Sequence, residues 1–218
     1  MLKLLPFITA LLFIGACKSK PVSLSGNDKV EFKDFAAAFK QVSFPYRLAD
    51  TNFAKAADTL TISYSVLTQF VPDSVMKKIF PKNAGKLKIH PAGKIEKEKE
   101  LYLLANLTSG KKTMLAAFLF TNEEAAKYLS HILLLKQGGD DNYMRSISVT
   151  NEPTFIISPE KYNQKGELMY TRNGYAYNNG SGEFIEVVND SNEDLKRLAE
   201  IINPIDTLPR KFKYKLYG

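Results

Sequence analysis

Tryptophan is absent from the 218-residue chain, cysteine occurs once and histidine twice. A lone cysteine, Cys17, cannot form an internal disulfide, so the fold holds without covalent staples. Two histidines, His90 and His131, fall short of a metal site without a third ligand nearby, and ordinary packing or surface roles suffice for both. No Gly-x-Ser-x-Gly elbow marks a nucleophile. The best local cluster of oxygen ligands is Gly138-Gly139-Asp140-Asp141-Asn142. It lacks the alternating acids and central glycine of a calcium loop and reads as a solvated loop between strands. Paired carboxylates for glycoside cleavage are defined by their separation in space, and nothing in the sequence singles out a pair. No metal and no cofactor is expected. Apolar runs are scarce too: Leu4 to Ala16, interrupted by Pro6 and Thr9, spans thirteen residues. As a helix it would rise about 20 Å, short of a hydrocarbon core of about 30 Å.

That run has the layout of a secretory signal, with Lys3 supplying the positive charge before it. Cys17 follows Ile14-Gly15-Ala16 directly, and this resembles the lipobox of bacterial lipoproteins. The resemblance implies a diacylglyceryl thioether on the Cys17 sulfur, cleavage before Cys17 and acylation of the new amino group. Two or more acyl chains, at about 0.8 kcal/mol per buried CH₂, anchor stably where one is marginal. The expected product is a palmitate-bearing lipoprotein held on a membrane and not crossing it. Lys18-Ser19-Lys20 follow, with no adjacent aspartate, which resembles outer-membrane sorting. Surface-exported lipoproteins of Bacteroidota type carry acidic residues there, and this chain departs from them. The expected location is the cell envelope, on the periplasmic face of the outer membrane.

Loss of residues 1–16 removes Lys3 and leaves 29 basic against 23 acidic residues, a net charge of +6. That balance would suit nucleic acid, but the expected envelope location argues against it, and the lysines are interleaved with glutamates. Lys94-Ile95-Glu96-Lys97-Glu98-Lys99-Glu100 reads as a solvated turn between strands. Anionic head groups or acidic glycans suit the excess charge better, through a nonspecific attraction. Fourteen phenylalanines and eleven tyrosines point to a β-rich core packed with aromatics.

The expected organisation is a signal peptide (1–16), a flexible tether (17–30), a β-rich globular domain (31–203) and a proline-containing basic tail (204–218). Phe32, Phe35, Phe39 and Val42 predict a helix over about 32–41, stopped by Pro45. Leu60, Ile62, Tyr64 and Val66 alternate with polar residues and predict a strand. Phe70-Val71-Pro72-Asp73-Ser74 turns into a short helix ending near Pro81, with Asp73 or Ser74 as its cap. Lys86 to Ile95 reads as a strand interrupted by Pro91 and Gly93. Leu101 to Leu107 and Met114 to Phe120 flank a hairpin loop at Thr108–Lys112. Residues 122–136 suit either helix or strand, and the continuous apolar run favours a turn and then a strand over 128–136.

Arg172-Asn173-Gly174-Tyr175 carries the strongest short-range signal for a two-residue hairpin turn. Similar punctuation occurs at Asn163–Gly166 and Asn178–Gly182. Strands near 154–159, 167–172, 175–178 and 183–188 are therefore expected in an antiparallel meander. Ser191-Asn192-Glu193-Asp194 opens a helix with Leu195, Leu198, Ile201 and Ile202 on its apolar face, ended by Asn203-Pro204. The predicted class is α+β: one meander-rich antiparallel domain with a few short flanking helices.

Gln69-Phe70-Val71-Pro72-Asp73, Leu101-Tyr102-Leu103-Leu104 and the run from Asn203 to Tyr214 are similar to uncharacterised Bacteroidota lipoproteins. In those a second small β domain follows, whereas here nine residues follow Pro209. The resemblance implies no activity; a shortened form with little activity of its own is one expectation.

Tyr175 and Tyr177 are expected on one face of the meander, with Tyr170 near them across the Asn-Gly turn; Tyr162 completes the set. Such a face either stacks on sugar rings or docks a protein, or is the hydrophobic side of the sheet. The leading expectation is a noncatalytic, lipid-anchored module binding an envelope protein or a glycan. The alternative is a carboxylate-dependent hydrolase of glycan or cell-wall material. No feature specifies an oligomeric state.

Overall fold

The computed structural model describes residues 23–56, 58–81, 84–137 and 143–192. The signal segment with Ile14, Gly15, Ala16 and Cys17, the Gly138–Asn142 loop, the basic tail and all but the first two residues of the helix expected from Ser191 lie outside the described residues; Ser191 itself ends a strand and does not open a helix. Among the described residues the chain is mostly antiparallel β-sheet, with nine strands in two sheets and a few short helices.

The four-stranded sheet holds β2 (Lys88–Glu96), β3 (Glu100–Ser109), β4 (Lys112–Thr121) and β5 (Tyr128–Lys136) in sequence order. The strands expected over 101–107, 114–120 and 128–136 are all present. The first two close through a tighter loop than expected, since Ser109 already pairs with Lys112. β2 bulges between Pro91 and Gly93, where its interruption was expected. The charged run is shorter as a turn, because Lys94-Ile95-Glu96 still belong to β2 and Ile95 is fully buried.

Both faces of this sheet are covered, which is why β3 and β4 read as near-continuous apolar runs and do not alternate. Leu101, Leu103, Ala105, Phe118 and Phe120 pack under the helical layer, and Tyr102, Leu104, Ala117 and Leu119 pack against the second sheet. The helical layer comprises α1 (Phe32–Ala37), α3 (Tyr64–Leu67) and α4 (Asp73–Ile79). Phe35 stacks on Phe70 at 4.6 Å between ring centroids, and Phe32 meets Phe120 at 5.0 Å. The helix expected over 32–41 thus forms but ends at Ala37, because the chain beyond it turns to pair with β2. Lys94 N–H donates to the Lys40 carbonyl (2.8 Å), and Val42 N–H donates to the Lys94 carbonyl (3.0 Å).

The strand expected at Leu60–Val66 does not form. Ile62 makes a single bridge to Ile89, and the Ser63 hydroxyl accepts from Val66 N–H at 3.1 Å, opening α3. A serine among alternating apolar residues serves equally as a helix cap, and here that role prevails. The cap expected for α4 also differs. Pro72 occupies the capping position without a side-chain bond, while Asp73 accepts from the Tyr64 hydroxyl and pairs with Lys77 at 2.5 Å.

The five-stranded sheet has the order β1 (Tyr46–Ala49), β6 (Met144–Val149), β7 (Phe155–Tyr162), β8 (Leu168–Asn178), β9 (Glu183–Ser191). Its inner face supplies Leu48, Ile147, Val149, Phe155, Ile157, Tyr175 and Phe184 to the core shared with the first sheet, and α2 (Phe53–Ala56) adds Phe53.

The Asn-Gly hairpin at 173–174 is absent. β8 runs unbroken through both residues: Asn173 pairs with Ile157 and Asn189, and Gly174 with Ile156 and Val188. Among the described residues the positive-φ glycines are Gly110, Gly166 and Gly182, the last two inside the turns expected at Asn163–Gly166 and Asn178–Gly182. Gly174 serves close approach instead, since a Cβ there would lie 2.8 Å from Val188 Cβ. The expected strands 167–172 and 175–178 are therefore one.

Candidate binding face

Alternation along a strand sends neighbouring residues to opposite faces, and cross-strand partners share a face. Since Phe155, Ile157 and Tyr175 point into the core, the residues between them point away from it. Three rows on the outer face follow from the register: Met144 beside Glu160 beside Tyr170, Tyr162 beside Leu168, and Arg172 beside Asp190. They gather at the end of the sheet where β6 starts and β7 turns into β8.

This end combines apolar exposure with cation–ring contacts. Met144 is 51%, Tyr162 65% and Leu168 39% exposed. The Arg172 guanidinium stands 4.6 Å from the Tyr170 ring centroid, and Arg172 reaches Asp190 at 3.9 Å. On the other face of the same strand ends, by the same alternation, the Lys161 ammonium lies 4.2 Å and the Arg145 guanidinium 5.9 Å from the Tyr143 ring centroid; Lys161 also donates to the Tyr143 hydroxyl. The turn is rigid: the Asn163 side-chain carbonyl accepts from Lys165 N–H and Glu167 N–H at 2.9 and 3.0 Å. On the outer face the rings, the thioether and the Arg172 guanidinium suit stacking on a sugar or covering an apolar protein surface. Val187 and Val188 on β9 extend the exposed apolar surface along the sheet, at 50% and 39%.

The expected tyrosine face is only partly assembled. Tyr175 and Tyr177 do share a face, but it is the inner one. Tyr175 is buried, and Tyr177 packs on Phe184 at 5.8 Å. Burial, with the charge of Glu186 second, raises the pKa of Tyr175. Tyr170 stands on the opposite face because it lies five positions, an odd number, from Tyr175 along one continuous strand. The hydrophobic-side alternative therefore holds for Tyr175 and Tyr177, and Tyr170 joins Tyr162, Met144 and Leu168. Met144 escaped sequence reading because β6 itself did.

The histidines are not brought together. They lie on the outer strands β2 and β5, three strand spacings or at least about 14 Å apart, and on opposite faces, since His90 pairs with Asn106 and His131 with Phe118. His90 Nδ1 contacts the Leu60 carbonyl at 3.0 Å, and His131 Nδ1 the Tyr128 hydroxyl at 2.8 Å. Burial, reinforced by Lys78, lowers the pKa of His131. Among the described residues no group of three His, Cys, Asp or Glu is placed to hold a metal, and no helix is long and apolar enough to cross a membrane.

Three described carboxylates have displaced pKa values, and all three move down. A lysine is the leading cause in each case: Lys33 at Glu31, Lys40 at Asp58 and Lys77 at Asp73. Tyr64 is pushed up to about 12 by burial and by its bond to Asp73. These groups clamp secondary structure, as where Tyr64 ties α3 to α4.

Compared with protein-family models, curated proteins and solved structures, the chain has no significant match.

Proposed function

We propose that this chain is a lipid-anchored envelope protein whose α+β, two-meander domain is a noncatalytic binding module. Its outer sheet face, centred on Tyr162, Met144, Leu168 and the Tyr170–Arg172 pair, docks an envelope protein or a glycan. The observation that carries this reading is the exposed apolar and aromatic cluster on an ordered sheet surface. Exposed apolar groups gathered on a folded surface mark interaction sites more often than those scattered singly.

Two further features support it. Leu24 and Val30 are buried in the helical layer, so the tether enters on that side. The candidate face lies two sheet layers away, about 20 Å at ordinary packing distances, and an anchor on the helical side leaves it open. A retaining or inverting hydrolase needs one carboxyl group held protonated by its surroundings. The displaced carboxylates described here are held ionised by lysines instead, so the hydrolase reading gains no support from them.

The anchor rests on the Cys17 thiol, placed by the proposal in the outer membrane facing the periplasm. Cys17→Ser is expected to accumulate as a precursor retaining residues 1–16, with no incorporation of labelled fatty acid. Incorporation by that variant, or a free thiol at Cys17 in the native protein's mass spectrum, contradicts the anchor. The face is tested separately, by the measurement that closes the Discussion.

A further inference from the structure

The outer face near Tyr162 interleaves its apolar groups with polar ones. Glu160 stands between Met144 and Tyr170 in one row, and Ser146 faces Ser158 in the next. Ile157 faces Asn173 and Glu160 faces Tyr170, so Ser158 lies across from Arg172, which faces Asp190 in turn. Alternation turns Ser158 outward between Ile157 and Pro159. It is nonetheless only 8% exposed, and its hydroxyl bonds to no described residue. A hydroxyl so deeply covered and without a partner among its neighbours takes one from outside.

Charge sets this face apart from the rest of the chain. Its outward strand positions hold Arg47 and Arg172 against Glu160, Glu183 and Asp190, in a chain of net charge +7. Such a surface does not collect acidic glycans or anionic head groups, which its acids repel. A protein partner is the weaker match as well. Protein contacts bury a patch whose centre is depleted of charge, and here Glu160 and the Arg172–Asp190 pair lie among the apolar groups. A sugar carries C–H faces and hydroxyls side by side, and it matches that alternation.

We infer that the ligand of this face is a neutral glycan; the inference rests on the binding reading above and names its ligand class. Tyr162, 65% exposed, offers its ring to the C–H face of one sugar unit. The Arg172 guanidinium rests on the Tyr170 ring and only approaches Asp190, at 3.9 Å, so N–H donors and carboxylate oxygens remain for sugar hydroxyls. Ser158 supplies a further hydroxyl at the floor. Tyr162 and Ser158 stand four positions apart on β7, about 13 Å, so the face takes an oligosaccharide and not a single ring.

Affinity electrophoresis of the full chain tests this, through gels containing dextran, laminarin, galactomannan, xyloglucan or arabinoxylan, with polygalacturonate as the acidic comparison. At least one neutral glycan is expected to retard the chain, and polygalacturonate is not. Tyr162→Leu is expected to weaken that binding about five- to tenfold while Tyr162→Phe stays within about twofold, because stacking on a sugar needs a ring. Ser158→Ala is expected to weaken it about three- to tenfold, the net worth of one hydrogen bond. Retardation by none of the neutral glycans, retardation by polygalacturonate alone, or binding indifferent to Tyr162→Leu overturns the inference. Crosslinking from position 162 in intact cells separates this from failure of the face itself. A protein adduct that resists periodate overturns the glycan alone, and the absence of any adduct overturns both.

Discussion

Phe155→Ala is expected to destabilise the fold by about 3–5 kcal/mol, the range for truncating a fully buried phenylalanine. Phe155 has no exposed surface and sits where the two sheets meet. Its ring lies 5.6 Å from Tyr102 of the four-stranded sheet and 5.9 Å from Phe184 on β9. Removing it opens a void among side chains fixed by three strands of two sheets, which close around it poorly. For a chain of this size the thermal midpoint falls by roughly 6–20 °C. Tyr162→Ala, on the open face, is expected to stay within about 0.5 kcal/mol of the parent. Denaturant melts of the two variants measure both. A cost below about 1.5 kcal/mol for Phe155→Ala would mean that the layers do not share the core described here.

Gly174→Ala is expected to cost about 1–3 kcal/mol, the usual range for overpacking. The new methyl would meet Val188 Cβ at 2.8 Å and Thr154 Cγ2 at 3.2 Å. Among the described residues β9 pairs with β8 alone, and it yields by moving off it. In a Val188→Gly background the same change is expected to cost less than half as much, because the Val188 Cβ at 2.8 Å and Cγ2 at 3.0 Å are both gone. A double-mutant cycle distinguishes this from the hairpin alternative. Were Gly174 a turn residue with positive φ, alanine would be strained whatever stood at 188, and the coupling between the sites would be near zero.

The same glycine shows where sequence reading succeeds and where it fails. Apolar pattern located β3, β4, β5, β7 and β9 because each carries a continuous or alternating run bounded by turn residues. Asn163–Gly166 and Asn178–Gly182 were readable as turns since each interrupts the apolar pattern. Asn173-Gly174 has the same composition, yet its glycine is demanded by a side chain fourteen positions away, which no local window contains. Tyr46–Ala49 is four residues long, too short for a period to register. Met144–Val149 did carry a signal, Arg145, Ile147 and Val149 alternating with Ser146 and Ser148, that went unread beside the acidic loop before it. The alternation at 60–66 was real but served a helix cap.

The candidate face inherited these errors. With the false turn at 173–174, Tyr170 folds back beside Tyr175; with a continuous strand, parity separates them. Tyr170 and Tyr162 were visible as aromatics near a turn. Met144 and Leu168 gain significance only from a register that brings β6, β7 and β8 side by side.

The central claim is that the outer face around Tyr162 meets a ligand in the envelope. A photo-crosslinking residue placed at position 162 in the full-length, Cys17-bearing protein in intact cells tests it, with the same residue at exposed Leu60 as the off-face control. A discrete adduct with one protein or glycan at 162, absent at 60 and weakened by Met144→Ala with Leu168→Ala, is the expected result. Equal adducts at both positions, or none at 162, would contradict it.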